Sequence, residues 1–93
     1  MTRPRRVCKI GFCPPFRQFY PQDCGGEIEV VEISAEEAEA LRLKNIKNLD
    51  QTEAAEKMGI SQSTFQRILQ SAYKKVTEAL IIGKEIRIAE SKK

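Results

Sequence analysis

Residues 57–69 read KMGISQSTFQRIL, and this stretch decides how the chain folds. A glycine separates two segments with helical apolar spacing, and Ser61 follows at the position of a helix N-cap. Gly59 can take the left-handed conformation that ends a helix, because it has no Cβ atom. Two helices joined by such a short glycine-containing turn form a helix-turn-helix. We therefore predict a turn at residues 58–61.

A capping box predicts the start of the first helix. The Ser34 side chain can accept a hydrogen bond from the amide of Glu37, whose side chain can bond the backbone of Ser34 in return. The helix should run over about residues 35–46. Its apolar surface is expected from five residues: Ala38, Ala40, Leu41, Leu43 and Ile46.

The two helices on either side of the turn also have clear limits. Asp50 and Glu53 form a second capping box, which starts a helix of about residues 51–58. The helix after the turn is the longest, at about residues 62–81, and Gly83 ends it. Its apolar stripe consists of Phe65, Ile68, Leu69, Ala72, Val76, Ala79 and Leu80. Three helices are therefore expected to share one core.

The two ends of the chain are less regular. Residues 1–26 contain all four prolines and all three cysteines, which favours an irregular, basic N-terminal arm. The segment EIEVVEI at 27–33 predicts a short strand, and the alternation of Ile86 and Ile88 predicts another. These strands could pair within one chain or between two. We predict a mainly α fold, with a three-helix domain at 27–93 and one or two short strands.

Composition narrows the possible functions. The 93 residues fit a single domain, with 41% hydrophobic and 31% charged residues. The chain has no histidine and shows no glycine-rich phosphate loop, so we expect no enzymatic activity and no cofactor. No apolar run approaches the roughly 20 residues that cross a bilayer, and the basic start lacks the apolar region of a secretory signal. We therefore expect a cytoplasmic protein without a membrane partner.

Charge is distributed unevenly along the chain. Residues 1–20 carry five basic residues and no acidic one, and residues 21–60 carry four basic and ten acidic residues. Residues 61–93 carry seven basic and three acidic residues, which brings the net charge to +3. Two basic ends around an acidic middle favour a polyanion as partner. Solvated surface charge would give the same counts.

The start of the third helix carries the residue types that read DNA. Outside the apolar stripe only polar side chains remain, and no acid occurs between residues 60 and 76. Gln can bond an adenine edge and Arg a guanine edge, while Ser and Thr can bond a base or a phosphate. The candidate base-reading residues are Gln62, Ser63, Thr64, Gln66, Arg67 and Gln70. The candidate phosphate contacts are Ser61, Lys74 and Lys75.

The stretch LDQTEAAEKMGISQSTFQRILQSAYKKVTEAL at 49–80 resembles region 4 of the sigma-70 factors. The whole chain is similar to a family of small, uncharacterised prokaryotic proteins that are predicted to bind DNA through a region 4-like domain. The matching pieces are RPRR at 3–6, FCPPFRQFYP at 12–21, EAEALRLKNIKNLDQTEAAEKMGIS at 37–61 and IIGKEIRI at 81–88. The resemblance implies a transcriptional regulator with no established target. It points to Gln62, Ser63, Gln66 and Arg67 as base readers, although sigma region 4 often has more basic residues there.

The basic arm and its cysteines leave alternatives open. Three arginines, Arg3, Arg5 and Arg6, could lie in the minor groove of DNA. Alternatively, they could belong to a disordered N-terminal segment in solvent. The cysteines have the spacing C-x4-C-x10-C: Cys8, Cys13 and Cys24. A structural zinc site usually needs four ligands, and either Asp23 or a partner chain could supply the fourth. Because the sequence does not identify that ligand, we assign no metal.

A homodimer is the expected assembly, because many helix-turn-helix proteins read two half-sites. Its interface would be the strand pair or the C-terminal half of the long helix, with Tyr73, Val76, Leu80, Ile81 and Ile82. The alternative to a DNA-binding regulator is a protein-interaction module. Such a module would dock on the transcription machinery, for example RNA polymerase, through its acidic first and second helices.

Overall fold

Three helices and a small three-stranded sheet form the described part of the chain, residues 15–22 and 26–89, in a computed structural model. The helices are α1 (Ala35–Leu41), α2 (Gln51–Met58) and α3 (Gln62–Glu78), and the strands are β1 (Gln18–Phe19), β2 (Val30–Ile33) and β3 (Glu85–Ile88). Five-residue π-helical turns follow two of the helices, Arg42–Ile46 after α1 and Ala79–Gly83 after α3. Within these ranges, no helix has both the length and the apolarity that crossing a bilayer requires. The mainly helical, three-helix prediction is confirmed.

Both predicted capping boxes are present and set the starts of α1 and α2. Ser34 Oγ accepts from the amide of Glu37 at 3.0 Å, and Glu37 Oε1 accepts from the amide of Ser34 at 2.9 Å. Asp50 and Glu53 exchange the equivalent pair of bonds at 2.8 and 3.2 Å. Each box satisfies amides that the first turn of a helix leaves without partners. Local sequence is therefore enough to locate both helix starts.

The core lies where the three helices meet, with β2 at its edge. Its largest fully buried side chains are Phe65, Ile33 and Met58. Two residues that were predicted to pack are instead exposed, Ile46 at 73% and Leu80 at 72%. Both lie in the π-helical turns. An i→i+5 turn holds one residue more than an α-helical turn, so its side chains fall off the apolar stripe.

The sheet has the strand order β1–β3–β2, with β3 antiparallel to β1 and parallel to β2. The predicted pairing between the two sequence-derived strands occurs within one chain, because α1 to α3 form the crossover that parallel strands need. The number of strands is corrected to three. The third, β1, has only two residues, and a two-residue strand has too little alternation to be recognised. Part of the predicted arm, the strand β1, thus belongs to the same sheet as β2 and β3.

Candidate functional site

The turn between α2 and α3 has the geometry that its sequence predicts. Gly59 ends α2 in the left-handed conformation, with φ 71° and ψ 32°. The amide of Ile60 donates to the carbonyl of Ala55 at 3.0 Å, and the half-buried Ile60 side chain packs against the core. Ser61 then caps α3, because its Oγ accepts from the amide of Thr64 at 3.1 Å. The turn thereby sets the direction in which α3 leaves the core.

One broad face of α3 is exposed. At about 100° per residue, seven side chains between residues 62 and 74 fall within a sector of roughly 140°, away from the buried Phe65, Leu69 and Ala72. All seven are exposed, and they include three glutamines, two cations and no acid. We call this set the outward face: Gln62, Ser63, Gln66, Arg67, Gln70, Tyr73 and Lys74. It is a hydrogen-bonding, positively charged surface.

The side chains of the two cations of the outward face, Arg67 and Lys74, form no hydrogen bond or ion pair within the residues that the structure describes. Lys84 and, more weakly, Lys74 lower the pKa of Glu78, so Lys74 acts on that carboxylate without bonding it. By contrast, Lys75 pairs with Glu37, and Lys84 pairs with Glu78. Arg67 and Lys74 are about two helical turns apart on the same side of α3. A polyanion can therefore reach both without first breaking an internal ion pair.

One edge of the outward face is bonded to other elements. Gln62 Oε1 lies 3.5 Å from the hydroxyl of Thr52 on α2, at the limit of a hydrogen bond. About three turns further along the same edge, the Tyr73 hydroxyl bonds the Asn45 side chain, with distances of 3.0 and 3.2 Å. Gln66 and Gln70 form no hydrogen bond within the described ranges. The central amides therefore remain available to a ligand.

Other residues predicted to contact DNA are also bonded within the protein, and among them Ser63 Oγ lies 3.3 Å from Ser61 Oγ. Ser61 Oγ donates to Thr64 Oγ1 at 2.9 Å, and Thr64 is half-buried. Lys75 Nζ donates to Glu37 Oε1 at 2.9 Å and to the carbonyl of Glu32 at 3.0 Å. One residue of helical rotation separates Lys75 from Lys74 and turns it towards α1. Lys75 therefore already has partners inside the protein, and its predicted phosphate contact stays a prediction.

The carboxylate of Glu37 is buried and bonds three other residues. In addition to the Ser34 amide and Lys75, the Ser71 hydroxyl donates to Oε2 at 2.6 Å. Burial raises the pKa of Glu37, but the bonds from Ser71, the Ser34 amide and Lys75 outweigh burial and leave the pKa below its ordinary value. The sequence identifies Glu37 as a capping residue only, since its contacts with α3 depend on how the helices pack.

The turn after α3 exposes apolar side chains. Three consecutive residues are exposed by 72%, 80% and 65%, and we call them the apolar end: Leu80, Ile81 and Ile82. Next to them, residues 19–21 and this turn enclose a cavity of about 210 Å³. Two other residues of the predicted dimer surface have partners inside the protein. Val76 is half-buried against an apolar cleft below the sheet, and Tyr73 bonds Asn45. The candidate interface is thereby reduced to the apolar end.

Several predicted site residues lie outside the described ranges. They are the arm arginines and the three cysteines: Arg3, Arg5, Arg6, Cys8, Cys13 and Cys24. Among the residues that the structure does describe, no group of three or more His, Cys, Asp or Glu side chains could hold a metal ion. The predictions about the minor groove and about zinc therefore stay predictions.

Comparison with known proteins gives the family. A family model described as "Protein of unknown function DUF134" matches residues 1–92. The chain belongs to this family. DUF134 relatives include a UPF0251 protein of Methanosarcina mazei, 51% identical over 87 residues that cover 92% of this chain and 53% of the relative. A UPF0251 protein of Caldicellulosiruptor bescii is 47% identical over 88 residues, which cover 95% of this chain and 61% of the relative.

The match to these DUF134 relatives is partial in length. The chain spans between about half and two thirds of the length of the curated relatives that it matches. No solved structure matches the chain with significant similarity. Any function must therefore be argued from the residues of the outward face and their surroundings.

Proposed function

We propose that this DUF134 protein binds double-stranded DNA as a helix-turn-helix protein of the sigma-70 region 4 type, and that it regulates transcription. The observation that carries the proposal is the outward face of α3, which is exposed, contains no acid and holds two cations that form no ion pair within the described residues. An ordinary solvated helix face mixes both signs of charge, as α2 does with Glu53, Glu56 and Lys57.

The dimensions and the chemistry of α3 suit the major groove. A helix with its side chains is about 10–12 Å across, and the groove is about 12 Å wide. In helix-turn-helix proteins the first turns of the second helix meet the base edges. Gln66 and Arg67 occupy that position here and offer the groups that bond adenine and guanine. Lys74 lies about two turns later, where the groove wall presents phosphates.

The revised contact set leaves out Ser61, Thr64 and Lys75, whose side chains are bonded within the protein. The proposed base readers are Gln62, Ser63, Gln66, Arg67 and Gln70, whereas Thr64 serves the helix cap. Lys74 is the proposed phosphate contact on α3, because the ammonium of Lys75 is already bonded by Glu37 and by the carbonyl of Glu32. The arm arginines remain proposed minor-groove contacts.

We also propose that the protein reads DNA as a homodimer through its apolar end. Three consecutive helical side chains point in three directions, so a helix of the same chain cannot cover all of them. Exposed apolar clusters of this kind are typical of protein interfaces. A two-fold dimer would also present two copies of α3 to two half-sites.

The salt dependence of binding tests the proposed function. A preferred duplex is first selected from a random pool, and its affinity is then measured by fluorescence anisotropy over a range of salt concentrations. The proposed cationic contacts are Lys74 of each protomer and the arm arginines, and each phosphate that they neutralise should add about −0.9 to the slope of log K against log salt. The two Lys74 side chains of a dimer alone should therefore give a slope of about −2. Affinity that is flat with salt, or no duplex binding at low salt, contradicts the proposal.

A second candidate is a protein-interaction module that docks on RNA polymerase without touching DNA. The exposed Leu80, Ile81 and Ile82 favour it, because the same surface could bind a protein other than a second copy. The two candidates differ in the effect of replacing Arg67. This change should weaken the binding of a regulator to its selected duplex by about 1–3 kcal/mol, and it should leave polymerase binding through the apolar end unchanged.

A further inference from the structure

The buried carboxylate of Glu37 connects three segments of the chain. Its Oε1 accepts from the Ser34 amide and from Lys75, and its Oε2 accepts from Ser71. Lys75 also reaches the carbonyl of Glu32 on β2. The start of α1 and two successive turns of α3 therefore meet at one carboxylate, and Lys75 links them to the end of β2. We call Glu37, Ser71 and Lys75 the clamp.

Capping alone does not account for these bonds. Glu53 holds the equivalent capping position in α2, and its side chain is exposed and bonds the amide of Asp50. Glu37 makes the same capping bond and in addition bonds two residues of α3. Glu37 and Glu53 can therefore be compared within one protein, because both cap a helix but only Glu37 bonds α3.

The clamp acts on the side of α3 that begins at Arg67. Residues 67, 71 and 75 are spaced four apart, so they follow one another along the helix. Arg67 and Ser71 line the same groove as Glu37, between α3 and the start of α1. The apolar contacts of Phe65 and Leu69 are non-directional, whereas hydrogen bonds restrict angles. The clamp therefore restricts rotation of α3 in a way that the core does not.

We infer that Glu37, through Ser71 and Lys75, is a positioning residue that sets the angle at which α3 presents its outward face to DNA. The expected effect on DNA binding rests on the proposed function. The position of α3 rests only on the hydrogen bonds of the free protein. Base reading needs side chains held to within a fraction of an ångström, so a small rotation of α3 should weaken base contacts more than phosphate contacts. Removal of the clamp is therefore expected to reduce specificity first.

The test replaces Lys75 by Met in the whole chain, because the Lys75 side chain is 36% exposed and its replacement leaves the capping box of Glu37 in place. The matched controls are Lys74→Met, which removes the proposed phosphate contact, and Glu53→Gln, which alters a capping glutamate outside the clamp. The conservative variant Lys75→Arg should restore the clamp. Each protein is titrated with the selected duplex and with an unrelated duplex at several salt concentrations.

A positioning role predicts that Lys75→Met lowers affinity for the selected duplex about tenfold, and changes affinity for the unrelated duplex much less. The salt slope should stay as in the unchanged protein, and Lys75→Arg should recover the affinity. Lys74→Met should instead reduce the magnitude of the slope by about one for each phosphate that is no longer neutralised, on both duplexes. If Lys75→Met also reduces the slope and weakens both duplexes equally, Lys75 binds a phosphate and the inference is wrong.

A measurement on the free protein separates this inference from the proposed function. Residual dipolar couplings report the orientation of α3 relative to α2 without any DNA. Lys75→Met should change that orientation, while Glu53→Gln should not. An unchanged orientation overturns the clamp, whatever the binding data show. A changed orientation in a protein that binds no duplex supports the clamp and rejects DNA binding.

Discussion

The inward and outward faces of α3 share one helix but have opposite surroundings. On the inward face, Phe65 and Ala72 are fully buried and Leu69 is 4% exposed. On the outward face, the side chains of Gln66, Arg67 and Gln70 are exposed and form no hydrogen bond or ion pair within the described part of the protein. The surroundings change completely between adjacent residues such as Phe65 and Gln66, so the proposed recognition surface can be altered without disturbing the core.

The largest expected effect comes from the inward face. Replacing Phe65 by Ala should reduce the free energy of unfolding by about 3–5 kcal/mol, because it leaves a cavity where three helices meet. Urea unfolding of the purified protein measures the change. The matched control is Gln66→Ala, which should alter that free energy by no more than about 0.5 kcal/mol. Equal losses in the two variants would mean that the two faces are not distinct.

The outward face should give the reverse result. Replacing Arg67 by Ala should weaken binding to a selected duplex by about 1–3 kcal/mol, because the variant cannot bond a guanine edge. The free energy of unfolding should stay within about 0.5 kcal/mol. Anisotropy titrations against the selected duplex and single-base variants measure the first effect. An equal reduction on every duplex would mean that Arg67 binds a phosphate instead of reading a base.

The turn that orients the two faces should show an intermediate effect. Gly59 has φ 71°, where a residue with a Cβ atom is strained. Replacing it by Ala should reduce the free energy of unfolding by roughly 1–2 kcal/mol. Gly59→Asn should cost less, because Asn tolerates the left-handed conformation better than other non-glycine residues. Thermal and urea unfolding of both variants would test this order, and a loss that is larger for Asn would contradict it.

The clamp should appear as a pH effect on stability. The folded-state pKa of Glu37 is lowered, so its ionised form contributes stability above the ordinary value of about 4.5. That contribution is lost as the pH falls through the lower, folded-state value. The unchanged protein should therefore lose stability on acidification more steeply than Glu37→Gln does. The free energy of unfolding of both proteins is measured in urea at several acidic pH values. An equal loss with falling pH in the two proteins would show that folding does not stabilise the ionised carboxylate.

The apolar end should have the smallest effect on stability. Replacing Ile81, which is 80% exposed, by Ser should change the free energy of unfolding by no more than about 0.5 kcal/mol. If the apolar end forms the dimer, the same change should shift the protein from dimer to monomer in sedimentation at micromolar concentration. A protein that is a monomer before the change would contradict the proposed dimer, and it would leave the outward face as the only proposed recognition surface.

Local sequence predicted those features that depend on residues close together in the chain. Both capping boxes, the bounds of α2, the left-handed Gly59 and the start of α3 involve bonds over three to five residues. The outward face was also largely predictable, because helical spacing separates polar from apolar positions before any packing is known. Its composition without acid can be read directly from residues 61–75.

Tertiary structure decided the features that depend on distant residues. Lys75 and Glu37 are 38 positions apart, so no local pattern could show that this lysine is paired whereas Lys74 is not. The exposure of Ile46 and the pairing of the two-residue β1 also went unpredicted, since each depends on how helices and strands meet. Hydrogen bonds within a turn follow from neighbouring residues, but burial and ion pairing follow from which surfaces come together. For this reason the sequence alone determined where the helices begin and which residues of α3 face outward. Only packing decided which cations of α3 form ion pairs inside the protein and which do not.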